Sequence, residues 1–253
     1  MSQIIMRAKK SLGQHFLKNA AIADAIVDGL TGHGDYKDVL EVGPGHGILT
    51  EALLNTDFKL WAVETDYKLG EALAQKFPGL SERIFIEDFL KFHIQEYLNG
   101  QFALIGNYPY NISSQILFRM LEMRDQIPEM VGMFQKEVGM RVISPHGSKV
   151  YGILSVLVQA YYNGESLMKL GPGSFSPPPK VDSIVIRLQR RDTLPTCSFK
   201  RLRTVVKAAF GQRRKMLRNS LSGLFDAETL TEDLFMRRPE AMSVQDFIDL
   251  SSR

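Results

Sequence analysis

Within Ile105-Gly106-Asn107-Tyr108-Pro109-Tyr110-Asn111 the chain places an amide, a turn-forming proline and two aromatic rings. They follow the apolar run Phe102-Ala103-Leu104-Ile105, which reads as a buried strand. In open α/β sheets, ligands bind in the crevice beyond the carboxyl ends of strands. The stretch therefore predicts a slot for a flat, hydrogen-bonding substrate. An adenine exocyclic amine is a poor nucleophile because its lone pair is delocalised into the ring. The Asn107 side-chain oxygen and the Pro109 carbonyl can accept both amine hydrogens and favour a more tetrahedral nitrogen, while Tyr110 stacks on the base. Methyl transfer to that nitrogen then depends on positioning and on acceptors aimed at developing positive charge. A base in a duplex or hairpin has to be flipped out to reach such a slot. A bare Asn-x-Pro-Tyr also fits a polar turn with aromatic packing; its place after a strand favours binding.

A second group suits a donor. Glu41-Val42-Gly43-Pro44-Gly45-His46-Gly47 joins a strand to a helix, and glycines there let a ligand approach the backbone. The dinucleotide fingerprint needs glycine at position 48, which is Ile48, and Glu41 would repel a pyrophosphate. A carboxylate instead suits a cationic ligand such as the amino group of S-adenosylmethionine. Glu64 lies 21 residues after Gly43, at the end of the next strand, where it can accept both ribose hydroxyl hydrogens. Asp88 ends the third strand and can accept from an adenine amino group. Each signal is weak singly; three at successive strand ends predict a ligand site.

An alternating β/α pattern carries both groups. Asn19 caps a helix with Ile22, Ala25, Ile26 and Leu30 at helical spacing, closed by Gly32 and Gly34. Strands are predicted at 39–42, 59–63, 83–86, 102–106, 130–135 and 181–188. Helices are predicted at 48–54, 67–77, 113–123 and 137–145; 151–162 also has helical spacing, although its β-branched content leaves it open. This alternation predicts a parallel sheet covered on both faces. Residues 171–179 read as a stiff proline loop and 190–198 as a linker. Beyond it only helical spacing remains, with Ser243-Val244-Gln245-Asp246 resembling a capping box.

The 253 residues, 44% hydrophobic and 23% charged, allow one large domain and a small one of globular composition. Cys197 is the single cysteine, which excludes an internal disulfide. No apolar run has the length of a membrane span, and Met1-Ser2-Gln3-Ile4-Ile5-Met6-Arg7 lacks a signal-peptide core. A cytoplasmic protein is expected. His33, His46, His93 and His146 show no metal-ligand spacing, so no metal site is expected. Net charge is only +3, but it is segregated. Arg7, Lys9, Lys10 and Lys18 precede the first acid, Asp24. Lys200, Arg201, Arg203, Lys207, Arg213, Arg214, Lys215 and Arg218 lie between Asp192 and Asp226 with no Asp or Glu among them. That is the footprint of a polyanion binder, set against a plain solvated face.

Taken together, these stretches resemble the KsgA-type ribosomal RNA adenine dimethyltransferases over nearly the whole chain. The likeness rests on Lys10-Ser11-Leu12-Gly13-Gln14-His15-Phe16-Leu17, the loop from Glu41 to Gly47 and Asn107-Tyr108-Pro109-Tyr110-Asn111-Ile112-Ser113. It extends to Gln135-Lys136-Glu137-Val138, Tyr151-Gly152-Ile153-Leu154-Ser155-Val156 and Phe175-Ser176-Pro177-Pro178-Pro179-Lys180-Val181-Asp182-Ser183. The resemblance implies an α/β class I S-adenosylmethionine-dependent methyltransferase. Its Rossmann-like, seven-stranded, mostly parallel sheet would occupy residues 1–190, with a basic arm at 1–18. A small all-helical RNA-binding domain would occupy 198–253. The implied reaction is N6,N6-dimethylation of two adjacent adenosines in a hairpin near the 3′ end of small-subunit rRNA. It would occur late in assembly, on a partly assembled small ribosomal subunit.

Carried over by motif, the cofactor contacts are His15, Leu17, Gly43, Glu64, Asp88 and Asn107, and the acceptor site is Asn107, Pro109 and Tyr110. Phe175 either closes the adenine from its other side or is a core aromatic beside the proline loop. The basic run from Lys200 to Arg218 reads as phosphate contact, which sets position and affinity. His15 stands where many relatives have Asn, and Tyr108, where Leu or Pro is commoner, would narrow the pocket. A monomer without a membrane partner is expected. A resistance-type methylase of large-subunit rRNA shares most of these motifs. A checkpoint protein without turnover is opposed by the intact Asn107, Pro109 and Tyr110, and a nicotinamide dehydrogenase by Ile48.

Overall fold

The computed structural model describes residue 9 and residues 12–253, so most of the expected basic arm, including Arg7 and Lys10, lies outside the described residues. In chain order the elements are β1 (Phe16–Leu17), α1 (Ala20–Val27), β2 (Asp38–Val42), α2 (Ile48–Leu53), β3 (Lys59–Val63), α3 (Tyr67–Lys76) and β4 (Ile84–Phe85). β5 (Phe102–Asn107), α4 (Ser113–Glu122), β6 (Glu129–Gln135), α5 (Lys136–Ile143), α6 (Ile153–Tyr161), β7 (Tyr162–Leu170), β8 (Phe175–Ser176) and β9 (Ser183–Arg190) follow. The chain ends with α7 (Phe199–Gly211), α8 (Leu217–Ser220) and α9 (Val244–Ser251).

Helix ends follow the local chemistry. The Asn19 side chain accepts from the Ala21 N–H at the start of α1, and Ser198 accepts from the Arg201 N–H at the start of α7. The expected capping box is formed in full: Ser243 Oγ accepts from the Asp246 N–H at 3.0 Å, and Asp246 Oδ2 accepts from the Ser243 N–H at 2.8 Å.

Seven strands form one sheet in the order β4-β3-β2-β5-β6-β9-β7. β2 pairs in parallel with β3 and β5, β3 with β4, and β5 with β6; β9 runs antiparallel to β6. The register sets Val39 beside Leu60 and Ala103, and Asn107 beside Met133. One face of the sheet, with Val39, Ala103, Ile105, Val131, Met133 and Val185, packs in a single core with Ile26 and Val27 of α1 and Leu49 and Leu53 of α2. Burying each such side chain contributes roughly 1.5–3 kcal/mol. The edge strand β7 had no signal in the sequence. Asn163, Gly164, Glu165 and Ser166 are all exposed, so this stretch shows neither alternation nor β-forming residues.

The chain divides into two compact units, 1–139 with 165–190 and 140–164 with 191–253. Residues 140–164, expected with the first domain, group with the second. Leu154, Val156, Leu157, Val158 and Ala160 bury nearly every side of α6. Such a helix needs partners around it, and α7 and α9 pack against it.

A buried carboxylate ties down the amino-terminal end of β6. Glu129 is fully buried and accepts from the Thr31 N–H (2.9 Å), Thr31 Oγ1 (2.7 Å), the Tyr36 hydroxyl (2.6 Å) and Gln189 Nε2 (3.0 Å). Burial, and then this carboxylate, push the Tyr36 hydroxyl pKa up. Glu129→Leu leaves several donors buried without an acceptor. It is expected to cost about 3 kcal/mol or more in urea unfolding, against about 1 kcal/mol for Glu129→Gln.

Candidate active site

From β2 the chain builds outward through β3 and β4, then returns to lay β5 on the other side of β2. Successive connections therefore leave in opposite directions at the carboxyl ends of β2 and β5, and a crevice opens there. Gly43, Gly45, Glu64, Asp88, Asn107, Pro109, Tyr110 and His15 all line one cleft at this point. Of the residues expected to hold cofactor and base, these eight include all but Leu17 and Phe175.

The glycine loop is shaped by what touches it. Gly45 has φ +57°, and a Cβ there would lie 2.8 Å from Cε1 of the Phe16 ring. Its N–H donates to Glu64 Oε2 at 3.0 Å, while the Asp66 N–H donates to Glu64 Oε1 at 2.9 Å. Glu64 is thus held at the end of β3 with one backbone donor on each oxygen, and each oxygen keeps a lone pair for a ligand hydroxyl. Burial raises the Glu64 pKa against these hydrogen bonds. A Cβ on Gly43 would meet nothing closer than Pro109 Cδ at 3.9 Å, so the backbone there borders open cleft. Asp88 Oδ1 accepts from the Leu90 N–H at 3.0 Å, and its Oδ2 has no partner among the described residues.

Asn107 is oriented by the arm. Its Nδ2 donates to the His15 carbonyl at 2.7 Å, which leaves Oδ1 as the acceptor. The His15 ring is anchored in turn through Nδ1 to the Pro177 carbonyl at 2.7 Å, and its centroid lies 5.2 Å from that of Tyr110. The Tyr110 hydroxyl hydrogen-bonds Ser183 Oγ at 2.6 Å, which fixes the ring that would stack on a base. Lys9 closes an ion pair with Asp66 at 2.8 Å.

Two expected site residues are placed elsewhere. Leu17 and Phe175 face each other across the β1–β8 ladder and are buried in the core, 6% and 1% exposed. Phe175 is therefore a core aromatic and does not line the cleft. Leu17 borders a smaller neighbouring cavity, with Glu41, Gly43 and Asn107. Glu41 also lies there rather than in the cleft, with Oε2 accepting from Thr50 Oγ1 at 2.6 Å. Tyr108 is among the residues lining the cleft, and it is buried, 1% exposed. Phe16, which seals Gly45 and packs tilted against His46 with ring centroids 4.1 Å apart, is not among the expected site residues. An aromatic beside His15 in an arm motif was the signal available for it.

In the second unit, Lys200, Lys207, Arg214, Lys215 and Arg218 are exposed, on α7, α8 and the turn between them. Arg213 is engaged: its Nη2 donates to the Lys149 carbonyl at 2.8 Å, and its Nε is 4.0 Å from Glu240. The Arg201 guanidinium lies 5.2 Å from the centre of the Phe225 ring. Arg203 is half-buried. Among the described residues, no group of three or more His, Cys, Asp or Glu is placed to hold a metal ion. No described helix is long and apolar enough to cross a membrane.

The family profile described as Ribosomal RNA adenine dimethylase matches residues 5–245. The chain belongs to this dimethylase family. It is 53% identical over 252 residues to the ribosomal RNA small subunit methyltransferase A of Flavobacterium johnsoniae, covering 98% of this chain and 96% of that one. It is 52% identical to the protein of the same name from Porphyromonas gingivalis, covering 97% of each. The crystal structure of a dimethyladenosine transferase from Plasmodium falciparum has the same fold, with TM-score 0.80 over 93% of this chain and 96% of that one at 23% identity. The α/β methyltransferase fold and the rRNA-methylating class read from the sequence both hold for this dimethylase.

Proposed function

We propose that this protein transfers methyl groups from S-adenosylmethionine to N6 of two adjacent adenosines in a small-subunit rRNA hairpin, giving N6,N6-dimethyladenosine. The observation that carries this reading is the Asn107 amide, whose Nδ2 donates to the His15 carbonyl and whose Oδ1 is left as an acceptor with no partner among the described residues. Oδ1 and the Pro109 carbonyl take the N6 hydrogens and stabilise positive charge as it develops on nitrogen. The Tyr110 ring, pinned by Ser183, stacks on the flipped base. Glu64 holds the donor's ribose, Asp88 its adenine, and Gly43 admits it to the backbone. The bound cofactor supplies a methyl already activated on a sulfonium. The chain's own task is then in-line positioning.

The relatives named small subunit methyltransferase A support the small subunit as substrate. Action in the cytoplasm, late in assembly and on a partly assembled particle, belongs to the same proposal, as does a monomeric enzyme. The test is methylation of purified, under-methylated small and large subunits with labelled donor, read by mass spectrometry of the nucleosides. Dimethyladenosine is expected from the small subunit. Label confined to the large subunit, or cofactor binding without any methylated adenosine, overturns the reading.

The exposed cations of the second unit would contact phosphate. Arg214→Glu with Lys215→Glu is expected to weaken particle binding and to reduce the slope of log affinity against log salt by about 1 to 2. A slope equal to the wild-type one removes this pair from the footprint.

A further inference from the structure

Side chains alternate across a strand, so Gly106 faces the side of β5 opposite Asn107, and the ring of Tyr108, just past the strand's end, lies on the Gly106 side. Gly106 is paired with Gly132 of β6. A Cβ on Gly132 would lie 2.1 Å from Cε2 and 2.8 Å from Cδ2 of Tyr108, and one on Gly106 would lie 2.8 Å from Cε1. The two glycines therefore leave a notch in the sheet surface, and the Tyr108 ring fills it. Phe134 packs against the ring with centroids 5.0 Å apart. The Tyr108 N–H donates to the Met133 carbonyl at 3.2 Å. The hydroxyl is buried with no partner among the described residues, so the fit of the ring, and not a side-chain hydrogen bond, holds it there. A glycine inside a strand marks close approach of another group, and here that group sits between the two acceptor residues of the site.

We infer that Tyr108 is a positioning residue: its ring, seated over Gly106 and Gly132, locks the loop so that the Asn107 and Pro109 acceptors keep one fixed geometry toward the substrate amine. This rests on the function proposed above. Asn107 is tied to the arm on one face of β5 and Tyr108 to the notch on the other, so the backbone they share resists twisting about the strand axis. A small displacement of such acceptors costs turnover far more than particle affinity, because the amine meets them only in the reacting geometry.

The test compares wild type with Tyr108→Leu, Tyr108→Phe, Gly132→Ala and the double variant Gly132→Ala/Tyr108→Leu. Two quantities are read: turnover on under-methylated small subunits, and hydrogen exchange of residues 105–113. Tyr108→Leu is expected to lower kcat about tenfold or more with KM for the particle within about threefold, and to speed exchange across 105–113. Phe at 108 is expected to rescue both, because the ring alone fits the notch. The double variant is expected to be no slower than Gly132→Ala alone, as the two changes disrupt one contact. Wild-type kcat and exchange in Tyr108→Leu, or losses that multiply in the double variant, overturn the inference. Should the wild type methylate no adenosine, the proposed reaction fails, and the exchange data alone still decide whether Tyr108 holds the loop.

Discussion

Asn107→Ala is expected to lower kcat by about 100- to 1000-fold, the range for removing one preorganised polar group at a site of developing charge. Affinity for the small subunit is expected to stay within a few fold, because phosphate contacts supply most of it. Among the described residues the Asn107 side chain makes one hydrogen bond, from Nδ2 to the His15 carbonyl, and that bond decides which atom is presented as acceptor. Asn107→Asp sharpens the test. It keeps an acceptor oxygen but sets a carboxylate oxygen against the His15 carbonyl, so the arm is repelled and the side chain turns. A loss of more than about tenfold in Asn107→Asp separates orientation from mere presence of an acceptor. Single-turnover methylation and particle binding, measured on the same variants, check both statements. A wild-type kcat in Asn107→Ala removes the amide from the reaction.

Stability is expected to fall as pH rises from about 4.5 to about 8, and Glu41→Gln is expected to flatten that fall. Glu41 is 1% exposed, and burial pushes its carboxyl pKa up to about 8. Thr50 opposes the shift through its hydrogen bond, and the Glu64 charge adds to it. Between the unfolded value near 4.5 and the folded value near 8, the folded chain holds a proton that the unfolded chain has released. Stability then drops by about 1.4 kcal/mol per pH unit. The contribution is complete below about 4.5, is lost progressively across the window and is gone above about 8. Its full size is on the order of 5 kcal/mol. Glu64 shifts in the same direction, so the Gln variant keeps a shallower slope. Asp66 shifts the opposite way, and its contribution is lost only at lower pH. Glutamine preserves the acceptor for Thr50, which makes the change nearly isosteric. Urea unfolding from pH 5 to 8 reads the effect; equal slopes in wild type and variant would refute it.

The strand-end acids show what local sequence can carry. Gly43, Glu64, Asp88 and Asn107 each end or follow a strand whose apolar run is legible in the chain, and parallel pairing brings strand ends to one edge of a sheet. Their meeting in one cleft followed from periodicity alone. The same logic located the Asn19 cap and the Ser243 box, since both depend on residues within one turn.

Three features depended on contacts between residues far apart in sequence, which periodicity does not encode. Phe175 belongs to the core because β8 pairs with β1 and turns its ring inward, a choice set by register between strands some 160 residues apart. Residues 140–164 join the second unit because α6 is apolar nearly all round and finds its cover on α7 and α9. β7 is polar and exposed over residues 163–166, and β9 offers it an edge to pair with. By itself, the sequence marked out Gly43, Glu64, Asp88 and Asn107 as candidates and placed them at the carboxyl edge of one sheet. Only the tertiary structure decided how they are held: Asn107 by the arm's His15 carbonyl on one face, and Tyr108 by the Gly106–Gly132 notch on the other. Those holds are cross-chain packing and hydrogen bonds, set by shape rather than by local pattern.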